Sequence, residues 1–376
     1  MAPEALTGMR VSIRGIGKAV PDRVVTNAEV AKRLGVEPEW IESRTGIRER
    51  RYVSDGESTA TLGLAAARQA LDRAGLTPAS IGCVVVGTCS PEHQFPSTAC
   101  VIAHELGMAA APAFDVSAAC SGFVYSLAVG AALTNGIGAR RVLVIGADAL
   151  SKNLNFDDPV TAPLFGDGAG AVVIERDEAA EPMQFSLGAD GAGGEQVFIT
   201  AGGNYMPSTP ETLAEHRHCI TMHGREVYRS AVRTMTALGA EMGAGGFDLL
   251  IAHQANRRIL ADCAAALDVD MSKVYMNIDR YGNTSGASIP VAMCEAWEAG
   301  MLSPGDRLLL LAFGGGYTWG GAMIRWNLHS PASANGAIRE VAVSPDKELD
   351  RELGKDLGQE LGQELGQVRL LGVGLP

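Results

Sequence analysis

Two series of short, continuously apolar segments run through this chain in the same order, one series in each half. The first comprises 83–87, 113–116, 141–146 and 171–174, and the second comprises 248–252, 273–276, 307–311 and 321–324. Apolar runs of this length predict strands that are covered on both faces. Helical patterns at 59–74 and 228–241 separate several of them. The chain is therefore expected to form a duplicated α/β architecture.

The two halves are expected to meet near 175–182, where an apolar strand gives way to charged residues and a proline. We assign 1–180 to an N-terminal half and 181–329 to a C-terminal half. The remaining segment, 330–376, differs because leucine and glycine each recur every four residues within it. A glycine inside a helix costs about 1 kcal/mol. We expect a flexible or weakly helical tail, with docking of a partner as the alternative.

Composition narrows the class of protein. A chain of 376 residues with 47% hydrophobic content can bury a large core. It has neither a long uninterrupted apolar run nor a signal-peptide layout at its start, so we expect a cytoplasmic protein that does not bind membranes. Seven irregularly spaced cysteines fit a reducing compartment. Five of them are expected to be core thiols: Cys83, Cys89, Cys100, Cys263 and Cys294. A formal net charge of −12 argues against nucleic-acid binding.

Cys120 is the first candidate catalytic residue. It lies where a β-prone segment gives way to small residues and then to a helix-compatible run. At a helix N-terminus, free backbone N–H groups and the helix dipole stabilise a thiolate. Small neighbours also let an extended thioester approach closely. The alternative is a buried, inert cysteine.

His253 and Asn283 complete a possible catalytic set. His253 ends an apolar strand, and Asn283 lies in a turn bracketed by glycines. Taken singly, they resemble a core histidine and an ordinary turn residue. Together with Cys120 they suit acyl transfer, because the thiolate can take an acyl group while the other two donate hydrogen bonds to a thioester oxygen that becomes negative.

Six segments carry a resemblance to a known family. They are WIESRTGIRER (40–50), FDVSAACSGF (114–123), LFGDGAGA (164–171), HQAN (253–256), YGNTS (281–285) and AFGGGYTWG (312–320). Over 9–327 the chain resembles the β-ketoacyl-acyl carrier protein synthase III enzymes, which are condensing enzymes of the thiolase superfamily. The resemblance implies a thiolase-like fold, with two duplicated halves in an αβαβα layered arrangement and the active site between them.

The resemblance implies a decarboxylating Claisen condensation. A short acyl-CoA primer would react with malonyl-acyl carrier protein through an acyl-Cys intermediate, starting fatty acid or related chain synthesis. Cys120, His253 and Asn283 are the expected catalytic residues, and the backbone N–H groups of Cys120 and Gly315 would hold the oxyanion. No cofactor is implied beyond coenzyme A thioester as substrate, and the protein is expected to be a homodimer.

The family pattern also assigns expected binding residues. Trp40 and Arg44 match positions that hold the coenzyme A adenine, Asn256 one that orients water and pantetheine, and Arg258 one implicated in carrier-protein docking. Phe313 is a further substrate-binding residue. Phe95 matches a residue at the end of the partner subunit's acyl pocket, where a large ring favours short primers. Without the resemblance, packing, helix capping and solvation are the alternative roles.

One segment departs from the family pattern. The family often has an Arg-Gly pair shortly before the FGDG motif, and its arginine completes the adenine clamp, whereas this chain has Pro159 and Val160 there. We therefore expect coenzyme A to bind differently or more weakly. A basic cluster near the N-terminus offers a mouth for the phosphates of coenzyme A or for an acidic carrier protein, or else a solvated face. It consists of Arg44, Arg48, Arg50 and Arg51.

Two alternative functions are considered for this chain. Relatives with the same catalytic set pass acyl groups to other carbon, oxygen or amine acceptors in secondary metabolism, and a catalytically silent subunit is a further alternative. The FGDG segment does not fit a dinucleotide loop and is expected to form a tight turn. A histidine-rich stretch at 216–223 lacks a strong metal-ligand spacing, so we predict no metal site.

Overall fold

A computed structural model of the protein describes residues 6–136 and 138–330. The strands are β1 Leu6–Met9, β2 Val11–Ala19, β3 Val24–Thr26, β4 Glu49–Arg51, β5 Cys83–Gly87, β6 Ala113–Val116, β7 Arg141–Asp148, β8 Gly168–Arg176, β9 Met183–Ala189, β10 Val197–Ile199, β11 Ile220–Met222, β12 Leu249–Ala252, β13 Arg307–Gly314 and β14 Thr318–Arg325. The α-helices are α1 Asn27–Leu34, α2 Pro38–Thr45, α3 Thr59–Ala74, α4 Thr98–Glu105, α5 Gly122–Gly136, α6 Pro210–Ala214, α7 Gly224–Gly243, α8 Arg257–Ala266, α9 Ile278–Tyr281 and α10 Ser288–Glu298.

Two five-stranded sheets repeat one pairing pattern. The first has the order β2-β8-β7-β5-β6, and the second has the order β1-β9-β14-β13-β12. In each sheet a parallel pair, β5 with β7 or β12 with β13, is followed by two antiparallel neighbours. This repetition confirms the duplicated architecture.

The predicted strand at 273–276 is wrong. Only Val274 pairs there, through an isolated parallel bridge to Leu250. The preceding residues form a short 3-10 turn, Met271–Lys273, in which the Asp270 carboxylate accepts a hydrogen bond from the Ser272 N–H at 2.8 Å. After this turn the chain lies beside the edge of β12 at a single residue, so a longer pair of strands does not form.

The boundary expected at residue 180 falls between two strands. β8 ends at Arg176 and β9 begins at Met183, on either side of that boundary. However, β1 lies near the start of the chain and pairs antiparallel with β9, so it belongs to the second sheet. A few N-terminal residues therefore tie the first half to the second.

Helices α5 and α10 fill the space between the sheets. Phe123 of α5 and Met293 of α10 share one buried cluster with Val144 of the first sheet and Leu310 of the second. Helix α3 packs on the outer face of the first sheet, and helices α7 and α8 pack on the outer face of the second. The order of layers is helix, sheet, helix, sheet, helix, as expected.

Local sequence signals explain where α3 begins and ends. Its N-cap, Ser58, forms a capping box with Thr61, and Gly75 ends it in the left-handed region at φ 63°. The sequence predicts both ends of this helix correctly. Its partner on the other side of the molecule, α7, contains the predicted 228–241 and extends beyond it at both ends.

The start of α5 lies close against the end of β5. A Cβ atom added at Gly87 would lie 2.5 Å from the carbonyl carbon of Gly122. Only glycine permits this approach. The contact fixes the turn that precedes α5 against the end of β5.

The described chain ends at Ser330. Its hydroxyl donates a 2.7 Å hydrogen bond to the Trp297 carbonyl. Apart from this residue, the tail expected at 330–376 lies outside the described residues. Within 6–136 and 138–330, none of the helices combines the length and apolar character that crossing a bilayer requires.

Candidate active site

Cys120 lies in a 3-10 turn, Ala119–Ser121, immediately before α5. The preceding Ala119 has φ 45°, a left-handed conformation that costs free energy for a non-glycine residue. The end of β13 comes close on the other side, since a Cβ atom at Gly314 would lie 2.7 Å from the Cys120 nitrogen. Cys120 is thus held between the start of a helix and a glycine-rich strand end.

The Cys120 thiol is not a standing thiolate. Burial raises the pKa of Cys120 to about 12; a hydrogen bond with Ser285 lowers this pKa, and the charge of Asp148 raises it. The helix N-terminus alone led us to expect a thiolate, but removal of water from around the sulfur outweighs that effect. A thiol with a raised pKa must lose its proton before or during any nucleophilic attack.

His253 follows β12 and is 2% exposed. The backbone N–H of His253 donates to the Leu311 carbonyl at 2.8 Å, and this bond continues the pairing of β12 with β13. Burial lowers the pKa of His253 to about 3, so the imidazole is neutral. Its Nδ1 atom lies 2.7 Å from the Ser288 hydroxyl. When that hydroxyl donates, the imidazole proton is on Nε2, which is then a hydrogen-bond donor.

Asn283 is fixed by backbone and side-chain bonds. The Asn283 N–H donates to the Leu164 carbonyl at 2.9 Å, and the Gly166 N–H donates to the Asn283 carbonyl at 3.0 Å. The Asn283 Oδ1 atom accepts a 2.8 Å bond from the Ser285 N–H. Because the side-chain oxygen is already occupied, the Nδ2 amide group is the part left to donate.

The FGDG segment, residues 165–168, helps to hold Asn283 in place. Asp167 is fully buried, and its carboxylate accepts bonds from the Val53 N–H and from the Ser151 N–H, both at 2.8 Å. Burial raises the pKa of Asp167 to about 6. The expected tight turn is wrong. The segment is held in place by the buried Asp167 carboxylate, and its Gly166 N–H donates to the Asn283 carbonyl.

One cavity of about 710 Å³ brings together most of the predicted residues. Its lining includes Cys120, His253, Asn283, Gly315, Phe313, Trp40, Arg44, Asn256 and Arg258. Cys120 comes from the first half, and His253 and Asn283 come from the second. The cavity thus lies between the halves, and it is large enough for a small ligand.

A cation–π contact and hydrogen bonds hold together residues that line the mouth of the cavity. The Arg44 guanidinium lies 4.5 Å from the centre of the Trp40 ring. Asn256 caps α8, and its Nδ2 atom also donates to the Arg44 carbonyl at 3.1 Å. An Arg258 Nη2 atom donates to the Ser43 carbonyl at 2.9 Å. Both Asn256 and Arg258 therefore join α2 to α8 as well as lining the cavity.

Phe95 is the predicted site residue that lies elsewhere. Its side chain is 87% exposed and does not line the cavity. A neighbouring residue, Gln94, donates from Nε2 to the Gly202 carbonyl at 2.6 Å. An exposed aromatic ring on this surface is available to a second subunit.

Sequence reasoning missed three polar residues of the site. Cys89 was assigned to the core, but it lines the cavity, and its thiol lies 3.4 Å from the Ser285 hydroxyl. Ser285 and Ser288 contact the catalytic candidates and lie in the segment that contains Asn283. Their proximity in sequence to Asn283 was the available signal. Cys100, also assigned to the core, is exposed.

A short two-stranded sheet, which the sequence analysis did not predict, forms part of the cavity wall. Strands β10 and β11 pair antiparallel, away from the two large sheets. They contribute Val197, Phe198, Ile199, Ile220 and Met222 to the cavity lining. Among the described residues, no group of three His, Cys, Asp or Glu side chains could hold a metal ion.

Comparison with known proteins identifies the family. Residues 114–191 match the model of 3-oxoacyl-[acyl-carrier-protein (ACP)] synthase III, and 239–326 match the model of its C-terminal part. The β-ketoacyl-[acyl-carrier-protein] synthase III of Roseiflexus sp. (strain RS-1) is 47% identical over 322 residues, covering 84% of this chain and 98% of the relative. The chain belongs to the β-ketoacyl-acyl carrier protein synthase III family.

Two solved structures agree with the fold. The 3-oxoacyl-[acyl-carrier-protein] synthase III of Aquifex aeolicus is 38% identical with a TM-score of 0.76, covering 84% of this chain and 100% of that one. The priming β-ketosynthase of the R1128 polyketide biosynthetic pathway is 32% identical with a TM-score of 0.79, covering 86% and 97%. The thiolase-like fold is therefore confirmed, and the chain is an acyl-transferring condensing enzyme.

Proposed function

We propose that this synthase III condenses a short acyl-CoA primer with malonyl-acyl carrier protein, which starts fatty acid synthesis. One observation carries the proposal. Cys120, His253 and Asn283 come from distant parts of the chain and line one cavity between the halves. A nucleophile and two neutral hydrogen-bond donors suit a reaction in which negative charge develops on a thioester oxygen.

The first half-reaction transfers the acyl group to Cys120. The sulfur attacks the thioester carbonyl, and the backbone N–H groups of Cys120 and Gly315 stabilise the oxyanion. Collapse of this intermediate expels the coenzyme A sulfur. The Cys120 thiol loses its proton and the expelled coenzyme A sulfur gains one, so that free coenzyme A and a neutral acyl-Cys are the products.

The second half-reaction forms the carbon–carbon bond. Malonyl thioester enters and loses CO2, and the electron pair of the broken bond becomes an enolate. The Nε2–H of His253 and the Nδ2 amide of Asn283 donate to the enolate oxygen. A neutral imidazole suits this task, since burial keeps the pKa of His253 at about 3. The enolate carbon then attacks the acyl carbonyl, the bond to the Cys120 sulfur breaks, and this sulfur takes up a proton from solvent to restore the thiol.

This chemistry requires no electron-transfer group, because decarboxylation itself supplies the carbon nucleophile. We propose that the enzyme uses coenzyme A thioester as a substrate and no cofactor. Trp40, Arg44, Asn256 and Phe313 bind the substrate, and Arg258 contributes to carrier-protein docking. We further propose a cytoplasmic homodimer, in which Phe95 of the partner subunit ends the acyl pocket.

The test follows both half-reactions separately. Intact mass spectrometry after addition of butyryl-CoA should show one butyryl group, on the peptide that contains Cys120. Addition of malonyl-acyl carrier protein should then release CO2, remove the butyryl group and yield β-ketoacyl carrier protein. An acyl-enzyme that passes its group to an amine or alcohol but not to malonyl-acyl carrier protein would overturn the proposal.

A further inference from the structure

Three arginines line the active-site cavity, and two of them are already engaged. Arg44 lies over the Trp40 ring, and Arg258 donates to the Ser43 carbonyl. The third, Arg225, is exposed and makes no hydrogen bond, ion pair or aromatic contact with any residue that the structure describes. Its position in the first turn of α7 does not favour the helix, because the helix dipole is positive there.

Arg225 lies beside the segment that departs from the family pattern. A Cβ atom added at the adjacent Gly224 would lie 3.9 Å from Val160 Cγ1, and both Pro159 and Val160 line the cavity. This segment offers no cation to a ligand. Of the three cavity arginines, Arg225 is therefore the one without a partner among the described residues, and it directly follows a residue that lies beside this segment.

One face of α7 runs along the cavity from the mouth inward. Arg225, Tyr228, Ala231 and Met235 all line the cavity and recur at the spacing of a single helix face. Ten residues of helix span about 15 Å. Arg225 thus marks the outer end of a channel along which a thioester arm can extend from Cys120 to the surface.

We propose that the Arg225 guanidinium binds the phosphate end of the phosphopantetheine thioester, a different part of the ligand from the adenine held by the arginine that is absent at Pro159. This inference rests on the proposed function, because that function supplies the thioester. Guanidinium forks form paired, charge-assisted hydrogen bonds with phosphate oxygens. The phosphate belongs either to coenzyme A or to the phosphopantetheine arm of a carrier protein. A local cation also offsets the repulsion expected from a net charge of −12.

The test compares thioesters with and without phosphate. Arg225→Gln should raise the half-saturating concentration of butyryl-CoA for acylation of Cys120 by about tenfold or more, as expected for loss of a charged hydrogen bond. Butyryl-pantetheine, which lacks phosphate, should be unaffected. Arg225→Lys should recover part of the loss. Arg233→Gln is the matched control, because Arg233 is exposed on the same helix and does not line the cavity.

The second half-reaction separates the two sources of phosphate. Enzyme acylated from butyryl-pantetheine is given either malonyl-acyl carrier protein or malonyl-pantetheine. An effect of Arg225→Gln confined to butyryl-CoA assigns the site to coenzyme A, and an effect on malonyl-acyl carrier protein extends it to the carrier arm. Equal losses with all thioesters, or no loss with any, would overturn the inference.

Binding of free coenzyme A tests the inference without catalysis. Calorimetric titration should show weaker binding to the Arg225→Gln variant, and added KCl should weaken binding to the unmodified enzyme more than to the variant. If no thioester acylates Cys120 yet Arg225 still governs coenzyme A binding, the proposed function fails and the phosphate site stands. Unchanged binding and unchanged salt dependence would sink the site alone.

Discussion

The Nδ1 atom of His253 lies 2.7 Å from the hydroxyl of Ser288, and both residues are buried. Burial lowers the pKa of His253 to about 3, so the ring carries one proton at neutral pH. The Ser288 hydroxyl can donate to Nδ1 and leave that proton on Nε2. We therefore expect Ser288 to set which ring nitrogen is the donor in the proposed reaction.

Ser288→Ala should reduce malonyl decarboxylation by about tenfold, the effect of losing one buried hydrogen bond. Acylation of Cys120 should be nearly unchanged, because the histidine acts in the second step. Nitrogen-15 chemical shifts of His253 should show the proton on Nε2 in the unmodified enzyme and a mixture of tautomers in the variant. Ser288→Thr, which keeps the hydroxyl, should restore the Nε2 tautomer; the same shifts in all three proteins would contradict the role of Ser288.

Cys120 should be the acylated residue even though a second thiol lines the cavity. Cys120→Ala is expected to abolish acyl-enzyme formation, because no neighbouring hydroxyl matches the sulfur of Cys120 as a nucleophile. The control is Cys89→Ala, which should still acylate. Intact mass after addition of butyryl-CoA distinguishes the two variants, and full loading of Cys120→Ala would show that another residue is the nucleophile.

The alkylation rate of Cys120 should rise steeply with pH. Burial raises the pKa of this thiol to about 12, so the thiolate fraction grows roughly tenfold per pH unit between pH 7 and pH 10. Iodoacetamide labelling followed by mass spectrometry of the Cys120 peptide measures this rate. A plateau beginning near pH 7 would mean that the helix N-terminus stabilises the thiolate more than burial opposes it.

His253→Ala and Asn283→Ala should separate the two half-reactions. Each variant is expected to form the acyl-enzyme but to lose malonyl decarboxylation by about 100-fold or more, the scale for removal of an oxyanion donor. The measurement is CO2 release from malonyl-acyl carrier protein, with acyl loading checked in the same samples. Normal decarboxylation by either variant would assign its residue to another step.

Continuous apolar runs predicted seven of the eight strand positions, since strands buried on both faces need no polar alternation. The segment at 273–276 has the same composition, but a capped turn ahead of it allows only Val274 to pair. Local composition does not reveal how far a ladder extends. The extent of strand pairing depends on where the neighbouring strand lies in the folded protein.

The residues of the reaction were easier to predict than their surroundings. Cys120, His253 and Asn283 lie in distinctive local segments, and the structure brings them to one cavity. The protonation of Cys120 was not predictable, because it depends on water exclusion by both halves of the molecule. Cys89 was missed for the same reason, since its contact with Ser285 joins residues far apart in the chain.

Glu295 should make the stability of the fold depend on acidic pH. Burial alone would raise its pKa, but Lys18 and Arg280 lower the pKa of Glu295 from 4.5 to about 2. A carboxyl whose pKa is lower in the folded state contributes stability above its unfolded pKa and loses it as pH falls from about 4.5 toward 2. The shift corresponds to about 3 kcal/mol at neutral pH.

Urea denaturation of the unmodified enzyme and of Glu295→Gln tests this dependence. The variant should be less stable at pH 7, because Lys18 and Arg280 lose a buried partner. The part of the difference that depends on pH should shrink by roughly half or more at pH 3. A difference that is constant between pH 3 and pH 7 would show that packing, not ionisation, accounts for the effect.

Phe95 provides the last prediction, which joins the quaternary structure to substrate choice. The Phe95 ring is 87% exposed, and we expect it to be covered in a homodimer. Light scattering at micromolar concentration should give the mass of two chains. A monomer would contradict both the dimer and the role of Phe95 in the pocket of the partner subunit.

If the ring ends the acyl pocket of the partner subunit, the unmodified enzyme should prefer acetyl-CoA or butyryl-CoA to dodecanoyl-CoA. Phe95→Thr should extend the range toward longer primers, because it removes the large ring at the end of the pocket. The measurement is the rate of acyl-enzyme formation across a series of chain lengths, with the dimeric mass of the variant confirmed. Equal acylation of the unmodified enzyme by dodecanoyl-CoA would show that Phe95 does not limit chain length.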